Sequence, residues 1–474
     1  MHYPLPSWVS ESVIYQIFPD RFAIGKGKTV YDKAELYTKR GGKLVDWNVL
    51  PKHKVDASHV MEFYGGDLWG IAEKIDYLKD LGVNLIYTTP IFLSPSNHKY
   101  DTIDYMRIDP QFGGEKAFKY YLKEAKDNGF RIMLDGVFNH LSKENEWFKK
   151  ALRGDKTHMS KFTFYKDGYR SWNNFDGMPE WNWEELEVRN YLLSVVEHYL
   201  RMGVDGWRLD VGFDVGYVNN ALINSRAKSV STEKYVVTET WNFPSNWTVV
   251  DGIMNYHFRE VVLGYLKGEF KNPVQALKKA YDETPNIYGC WNMLDSHDTE
   301  RLAAVIPDRA LRKLAAVLQF TYPGVPFVYY GTEIGLTGGR DPECRAPMPW
   351  NEELWDKDLR EFYKKLISIR KSEVALKIGG FEVLNEEPIV FLRKAPYVLD
   401  DVIVAVNKDG EENVAVSVPD GRLLAGTTFV DLMNGEEFWI VGGVLKFNVP
   451  KKGFRILRAV DKAKKGYTQY KRIC

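Results

Sequence analysis

Cysteine is scarce in this chain: three residues, Cys290, Cys344 and Cys474, among 474 positions. They are well separated and odd in number, so neither a disulfide framework nor a closely spaced metal motif is legible, and reduced thiols are expected. Net charge is also lacking. Lys+Arg and Asp+Glu both total 64, so no overall field would draw the protein to nucleic acid or to an anionic membrane, and a neutral partner is expected. No apolar run is long enough to span a bilayer, and residues 1–22, MHYPLPSWVSESVIYQIFPDRF, contain no basic segment followed by an apolar stretch. A cytoplasmic protein is the expectation. Aromatic residues, by contrast, are plentiful at 14%, with 14 Trp and 28 Tyr, and flat rings suit the apolar faces of sugars.

From residue 13 to about 370, short β-rich apolar runs alternate with segments of helical period, the pattern of repeated βα units around a parallel sheet. Eight runs qualify as strands: VIYQIFP, NLIYTTP, RIMLDGVF, GWRLDV, YVVTET, GIMNY, CWNMLDSH and VPFVYYG. Between them, Leu68 to Leu81 puts Leu68, Ile71, Ile75 and Leu78 on one stripe, and 187–202 does the same with Val188, Tyr191, Leu192, Val195 and Tyr199. Eight such units close into a (β/α)8 TIM barrel more naturally than into a doubly wound open sheet. The barrel is assigned to 1–140 and 187–374. Residues 141–186, rich in Trp, Asn, Lys and Gly, form too long a connection to be idle and are read as a small inserted domain over the barrel mouth. Segment 23–66 has no clear period and is expected to rim the same mouth. Residues 375–460 change to short alternating strands broken by Gly, Asn, Asp and Pro, predicting a C-terminal antiparallel β-sandwich. The stretch 461–474, DKAKKGYTQYKRIC, reads as a solvated basic tail.

Groups at the carboxyl ends of barrel strands point into one shared site. The third strand ends with Asp135, Asn139 and His140, the fourth with Arg208 and Asp210, the fifth with Glu239, and the seventh with His297 and Asp298. Any one acid alone could be an ordinary ion-paired or capping residue. Carboxylates are rarely buried without partners, so their convergence demands either a cation or a reaction that uses them. Arg208 and Asp210, two apart on a strand, share a face, where the guanidinium could keep Asp210 ionised as a nucleophile requires. Trp241, beside Glu239, could supply a dry wall that suits a general acid. Retaining glycoside hydrolysis uses both roles, and its oxocarbenium-like transition state rewards further charge, a duty that fits Asp298 with His140 and His297. Zinc or manganese bound by the His and Asp groups is the alternative, but no pair has the spacing of HExxH.

In order along the chain, DGVFNH (135–140), GWRLDVGFD (206–214), TETW (238–241) and LDSHDTER (294–301) resemble the four sequence regions of the α-amylase family of glycoside hydrolases. The stretches VIYQIFPDRF, YGGDLWGI, YDTIDYMRIDPQFG and GVPFVYYGTEIGLTGGRDPECRAPMPW extend the likeness to residues 10–370. The resemblance implies Asp210 as nucleophile, Glu239 as acid/base and Asp298 as transition-state stabiliser. It further implies that His140, Arg208 and His297 contact the sugar at the cleavage point, that Tyr100 stacks on that ring, and that Asp101, Asp341 and Arg345 touch the donor side.

Within the family, MPEWNWEELEVRNYL (178–192) is similar to the fifth region of the cyclomaltodextrinase, neopullulanase and maltogenic amylase group, with Glu180 and Trp181 in place of the usual Lys and Leu. An α-glucan oligosaccharide is the implied substrate, and hydrolysis of cyclomaltodextrins and short maltooligosaccharides with some glycosyl transfer is the implied activity. An α-glucosidase, a 4-α-glucanotransferase and a noncatalytic binding relative are the rivals, the last disfavoured because all three acids are present. The group's dimers use a β domain ahead of the barrel, and this sequence opens almost at the first strand, so a homodimer is left open. Relatives bind calcium through an Asn/Asp-rich loop after DRF; here AIGKGKTVYDK puts lysines where oxygen ligands would stand. No metal or other cofactor is therefore expected, Asn139 being the one residue that a second family calcium site would use.

Overall fold

The computed structural model describes residues 4–462 and Tyr470; Cys474 and most of the basic tail lie outside them. Eight parallel strands organise the first four-fifths of the chain: β1 (Ile14–Ile17), β2 (Leu85–Thr88), β3 (Arg131–Gly136), β4 (Gly206–Leu209), β5 (Tyr235–Thr238), β6 (Gly252–Ile253), β7 (Trp291–Met293) and β8 (Val325–Tyr329). Each falls inside one of the eight predicted runs. They pair in the order β6-β5-β4-β3-β2-β1-β8-β7, and a parallel bridge between Met254 and Trp291 joins the two outer members. The sheet is thereby a closed barrel and not an open doubly wound one. Every residue of β1, β2, β4, β5 and β8 is buried, as strands filled from within and covered by helices outside must be. Register then sets the chemistry: Arg208 of β4 lies beside Asp135 of β3 and Val237 of β5.

The helices follow the apolar stripes with one break. Leu68–Leu81 forms two helices, Leu68–Glu73 and Ile75–Leu81, because Lys74 leaves helical geometry at φ −102°, ψ 12°; Leu68, Ile71, Ile75 and Leu78 are buried all the same. Leu186–Arg201 buries Val188, Leu192, Val195 and Tyr199. The segment after β1 returns to the barrel mouth at Gly66, where a Cβ would stand 2.0 Å from the Pro19 carbonyl oxygen, so only glycine fits that approach. The excursion after β3 contains helix Glu146–Leu152, a hairpin of Phe164–Tyr165 with Gly168–Tyr169, and bridges His140 to Glu180, Phe162 to Trp181 and Ser171 to Pro179. Those bridges fold its end back against its beginning. Glu180 pairs with Arg170 at 2.6 Å and Trp181 lies parallel to Phe162 at 5.2 Å, so both departures from the usual fifth region serve the base of this excursion.

Eight antiparallel strands close the chain: β9 (Gly380–Asn385), β10 (Ile389–Lys394), β11 (Val402–Asn407), β12 (Glu412–Ser417), β13 (Thr428–Asp431), β14 (Glu437–Val441), β15 (Val444–Val449) and β16 (Gly453–Val460). They form one ladder ordered β9-β10-β11-β16-β13-β14-β15-β12 around their own core, which includes Val390, Ile403, Val416, Leu445 and Leu457. Seven of these strands are legible as separate runs. The eighth, β14, falls in none of those runs; it is joined to β15 by Gly442 and Gly443, both at positive φ, a two-glycine hairpin turn.

Candidate active site

Barrel topology delivers the acids to one place, and close contacts then order them. Arg208, fully buried at the end of β4, is divided among three carboxylates: Nη1 stands 2.9 Å from Asp135 Oδ1 and 2.8 Å from Asp210 Oδ1, and Nη2 is 2.7 Å from Glu239 Oε2. Tyr87 and Tyr100 also donate to Asp135, at 2.5 Å and 2.9 Å. Glu239 accepts from the Val211 N–H at 2.9 Å and from Trp241 Nε1 at 3.0 Å. Val211 makes its bond from a left-handed backbone, φ 38° and ψ 51°, a strained setting for a β-branched residue, and it stands immediately after Asp210. Two expectations change here. Arg208 does not serve Asp210 alone, and Trp241 meets Glu239 as a hydrogen-bond donor, its ring stacked on Tyr256 at 3.8 Å, instead of as a dry wall.

Charge in this corner is out of balance, with three acids against one guanidinium. Burial pushes the Asp210 carboxyl well above its ordinary range; Arg208 opposes the rise, while Glu239, Asp135 and Asp298 add to it. In so tight a group the retained proton belongs to the set and not to one member.

Across the cavity the balance is reversed. Burial acts against the Asp298 carboxylate, but His297 and Arg345 outweigh it and hold the group below its usual range. His297 Nε2 is 2.9 Å from Asp298 Oδ2, and Arg345 Nη2 is 3.1 Å from Oδ1. Arg345 also pairs with Asp341 at 3.0 Å and donates to the His297 carbonyl at 2.9 Å. His297 is fixed from behind by Gln16 at 2.8 Å and by the Tyr100 hydroxyl at 2.6 Å. His140 differs from it: burial drives the imidazole down to about 3, so it is neutral, and its Nε2 has no hydrogen-bond partner while lying 3.9 Å from Asp210 Oδ2. A free nitrogen in that position suits a sugar hydroxyl.

These groups surround a cavity of about 460 Å³ whose lining includes Tyr100, His140, Asp210, Glu239, Asp298, Asp341 and Arg345 together with Val60, His98, Trp172, Met178, Phe213 and Trp241. Seven of the ten predicted site residues thus face one space. Arg208 and His297, both fully buried, stand behind the lining, where they hold Asp135, Asp210, Glu239 and Asp298 instead of presenting themselves to a ligand. Asp101 turns away as well: its carboxylate is hydrogen-bonded to Ser96, and burial pushes it up to about 6. The excursion contributes Trp172, whose ring stacks on His140 at 5.3 Å, and no sequence period marked it. Lys99 was equally silent. Fully buried and at φ 64°, it sets its ammonium 2.9 Å from Asp109 and fixes the turn from which Tyr100 projects.

A closed parallel barrel whose strand ends gather acids around an aromatic-walled cavity is the arrangement of a barrel enzyme. Residues 16–177 and 166–379 match the α-amylase catalytic domain, and residues 381–456 match the maltogenic amylase C-terminal domain. The chain belongs to the α-amylase family of glycoside hydrolases. It is 36% identical to neopullulanase 2 of Thermoactinomyces vulgaris over 94% of this chain and 77% of that protein. With the cyclomaltodextrinase of Thermoanaerobacter pseudethanolicus it shares 35% identity over 86% of this chain and 72% of the other. The cyclic α-maltosyl-(1→6)-maltose hydrolase of Arthrobacter globiformis superposes with a TM-score of 0.83 at 29% identity, over 96% of this chain and 100% of that one. Among the described residues, no helix is long and apolar enough to cross a membrane.

Proposed function

We propose that the protein hydrolyses α-1,4-glucosidic bonds in cyclomaltodextrins and short maltooligosaccharides with retention of configuration, and passes part of the glycosyl intermediate to sugar acceptors. Asp210 attacks the anomeric carbon and forms a glycosyl ester while Glu239 gives a proton to the departing glycosidic oxygen. Glu239 then takes a proton from water, or from an acceptor hydroxyl, which displaces Asp210. Asp298, kept ionised by His297 and Arg345, supports the positive charge that develops on the sugar, and the neutral His140 binds a hydroxyl. The two roles require Asp210 to be ionised when it attacks and Glu239 to carry the proton that it gives.

The observation that carries this reading is the placement of Asp210, Glu239 and Asp298 on one cavity beside the unpaired Nε2 of His140. Incubation with β-cyclodextrin, starch and maltotriose tests it. Ring opening faster than starch cleavage, with the first product in the α-anomeric form by NMR, is expected; an unopened ring, or a β-anomeric first product, defeats it. A second reading, action on a cyclic maltosyl-(1→6)-maltose, draws on the Arthrobacter globiformis relative, and that tetrasaccharide belongs in the same assay. We also place the protein in the cytoplasm, on the support of two buried unbridged thiols, Cys290 and Cys344.

A further inference from the structure

The loop after β1 is the place where the family resemblance calls for calcium, and the donors there can be tested against such an ion. Lys33 is 8% exposed, and its ammonium donates to the Gly65 carbonyl oxygen at 2.8 Å and to Asp67 Oδ2 at 2.9 Å. The other carboxylate oxygen of Asp67 accepts from Gly25 N at 3.1 Å and from Gly70 N at 2.8 Å, the latter capping helix Leu68–Glu73. One carboxylate therefore joins the loop, the returning strand segment and a helix start. A carbonyl and a carboxylate facing one point form the oxygen set that a hard cation wants, but the point already holds a positive charge. Asp20, the other acid whose charge acts on Lys33, is engaged by Arg21 at 2.8 Å and by the Tyr64 and Gly65 N–H groups. A divalent ion here would meet an ammonium at van der Waals range with no acid left to offset it, so the residues present do not fit calcium.

The geometry points to a built-in cation: we infer that the Lys33 ammonium holds segment 23–67 to the barrel mouth in the place of a metal ion, and that this segment is independent of calcium. Burial lowers the Lys33 pKa and Asp67 pulls it back, consistent with an ammonium kept charged by one close partner. Replacing Lys33 leaves Asp67 as a buried charge with two N–H donors and no counterion, a costly arrangement. Removing both charges removes that cost.

Thermal unfolding of the full chain tests this directly. In millimolar EDTA and in millimolar CaCl2 the Tm is expected to agree within about a degree, since a ligand shifts stability only by binding the folded state. A clear fall in EDTA, or stoichiometric calcium in metal analysis of the purified protein, overturns the inference. Lys33→Met is expected to lower Tm by several degrees in both media, and adding Asp67→Asn to it to recover most of the loss. A single variant as stable as the parent, or a double variant no better than the single one, also overturns it. If Lys33→Met fails to fold, recovery of folded protein in the double variant is the supporting result and its absence the opposing one. Because the readout is stability, cyclodextrin turnover can fail independently of it.

Discussion

The two walls of the cavity handle negative charge in opposite ways. On the β3–β5 side, Asp135, Asp210 and Glu239 divide one guanidinium, and burial leaves Asp210 pushed upward. On the β7 side, Asp298 has both His297 and Arg345, the latter shared with Asp341 alone, and it is held ionised. A carboxylate's protonation in a barrel mouth is thus decided by how many acids share each cation, not by the mere presence of an arginine two residues away. The arrangement matches the division of labour proposed above: an exchangeable proton where acid and nucleophile must alternate, and a permanent charge where the transition state needs one.

The strongest way to break this comparison is Asp210→Asn. Turnover is expected to fall by roughly 10⁴-fold or more, as for removal of a covalent nucleophile. Stability should move the other way. Asp210 binds its proton more tightly folded than unfolded, so its contribution is complete below the unfolded value of about 3.9 and declines as pH rises through the folded one. Asparagine cannot ionise, so the Tm advantage of the variant should grow from pH 4 upward, by about one to three degrees at pH 7; a Tm below that of the parent at pH 7 rejects the account.

Asp298→Asn should cost roughly 10²- to 10³-fold in turnover with the opposite stability signature. Its depressed carboxylate stabilises the fold above about pH 4 and stops doing so as pH falls through the folded value. The variant should therefore be less stable than the parent at pH 7 and equal to it in acid, as scanning calorimetry across that range would record. Arg345→Leu sharpens the same point. Loss of the guanidinium should raise the Asp298 pKa and move the acid limb of kcat/KM to higher pH, with a fall of roughly tenfold at the optimum; an unmoved acid limb would exclude Arg345 from this electrostatic role.

Lys99→Met tests the support of the Tyr100 turn. A drop of roughly tenfold in kcat/KM is expected from a misplaced ring, with Lys99→Arg recovering part of it, and steady-state kinetics on β-cyclodextrin would report both. Trp172→Ala should have the smallest effect: KM rises roughly threefold to tenfold with kcat nearly unchanged, because stacking of this kind binds ground and transition states alike. A large fall in kcat would instead make Trp172 a positioning residue for His140.

Much of this was legible from the residues in order. The eight strands show as apolar runs because a strand buried on both faces tolerates little else, and Asp210, Glu239 and Asp298 stand out because each ends such a run. β14 was hidden because a two-glycine turn interrupts the alternation without lengthening the loop. Asp101 looked like its neighbour Tyr100, yet a hydrogen bond to Ser96 turns it aside. Trp172 lies in an excursion with no period to read, and its place over His140 depends on bridges that only the folded chain makes.

What the sequence determined by itself was the barrel, the family and the identity of the acids, since these rest on periodicity and on motifs confined to a few adjacent residues. What the tertiary structure decided was how charge is distributed among them: that Arg208 is split three ways, that Arg345 reaches Asp298 from 47 positions away, and that Lys33 closes on Gly65 and Asp67. Coulombic and desolvation energies depend on distance and burial in space, and no spacing along a chain encodes either.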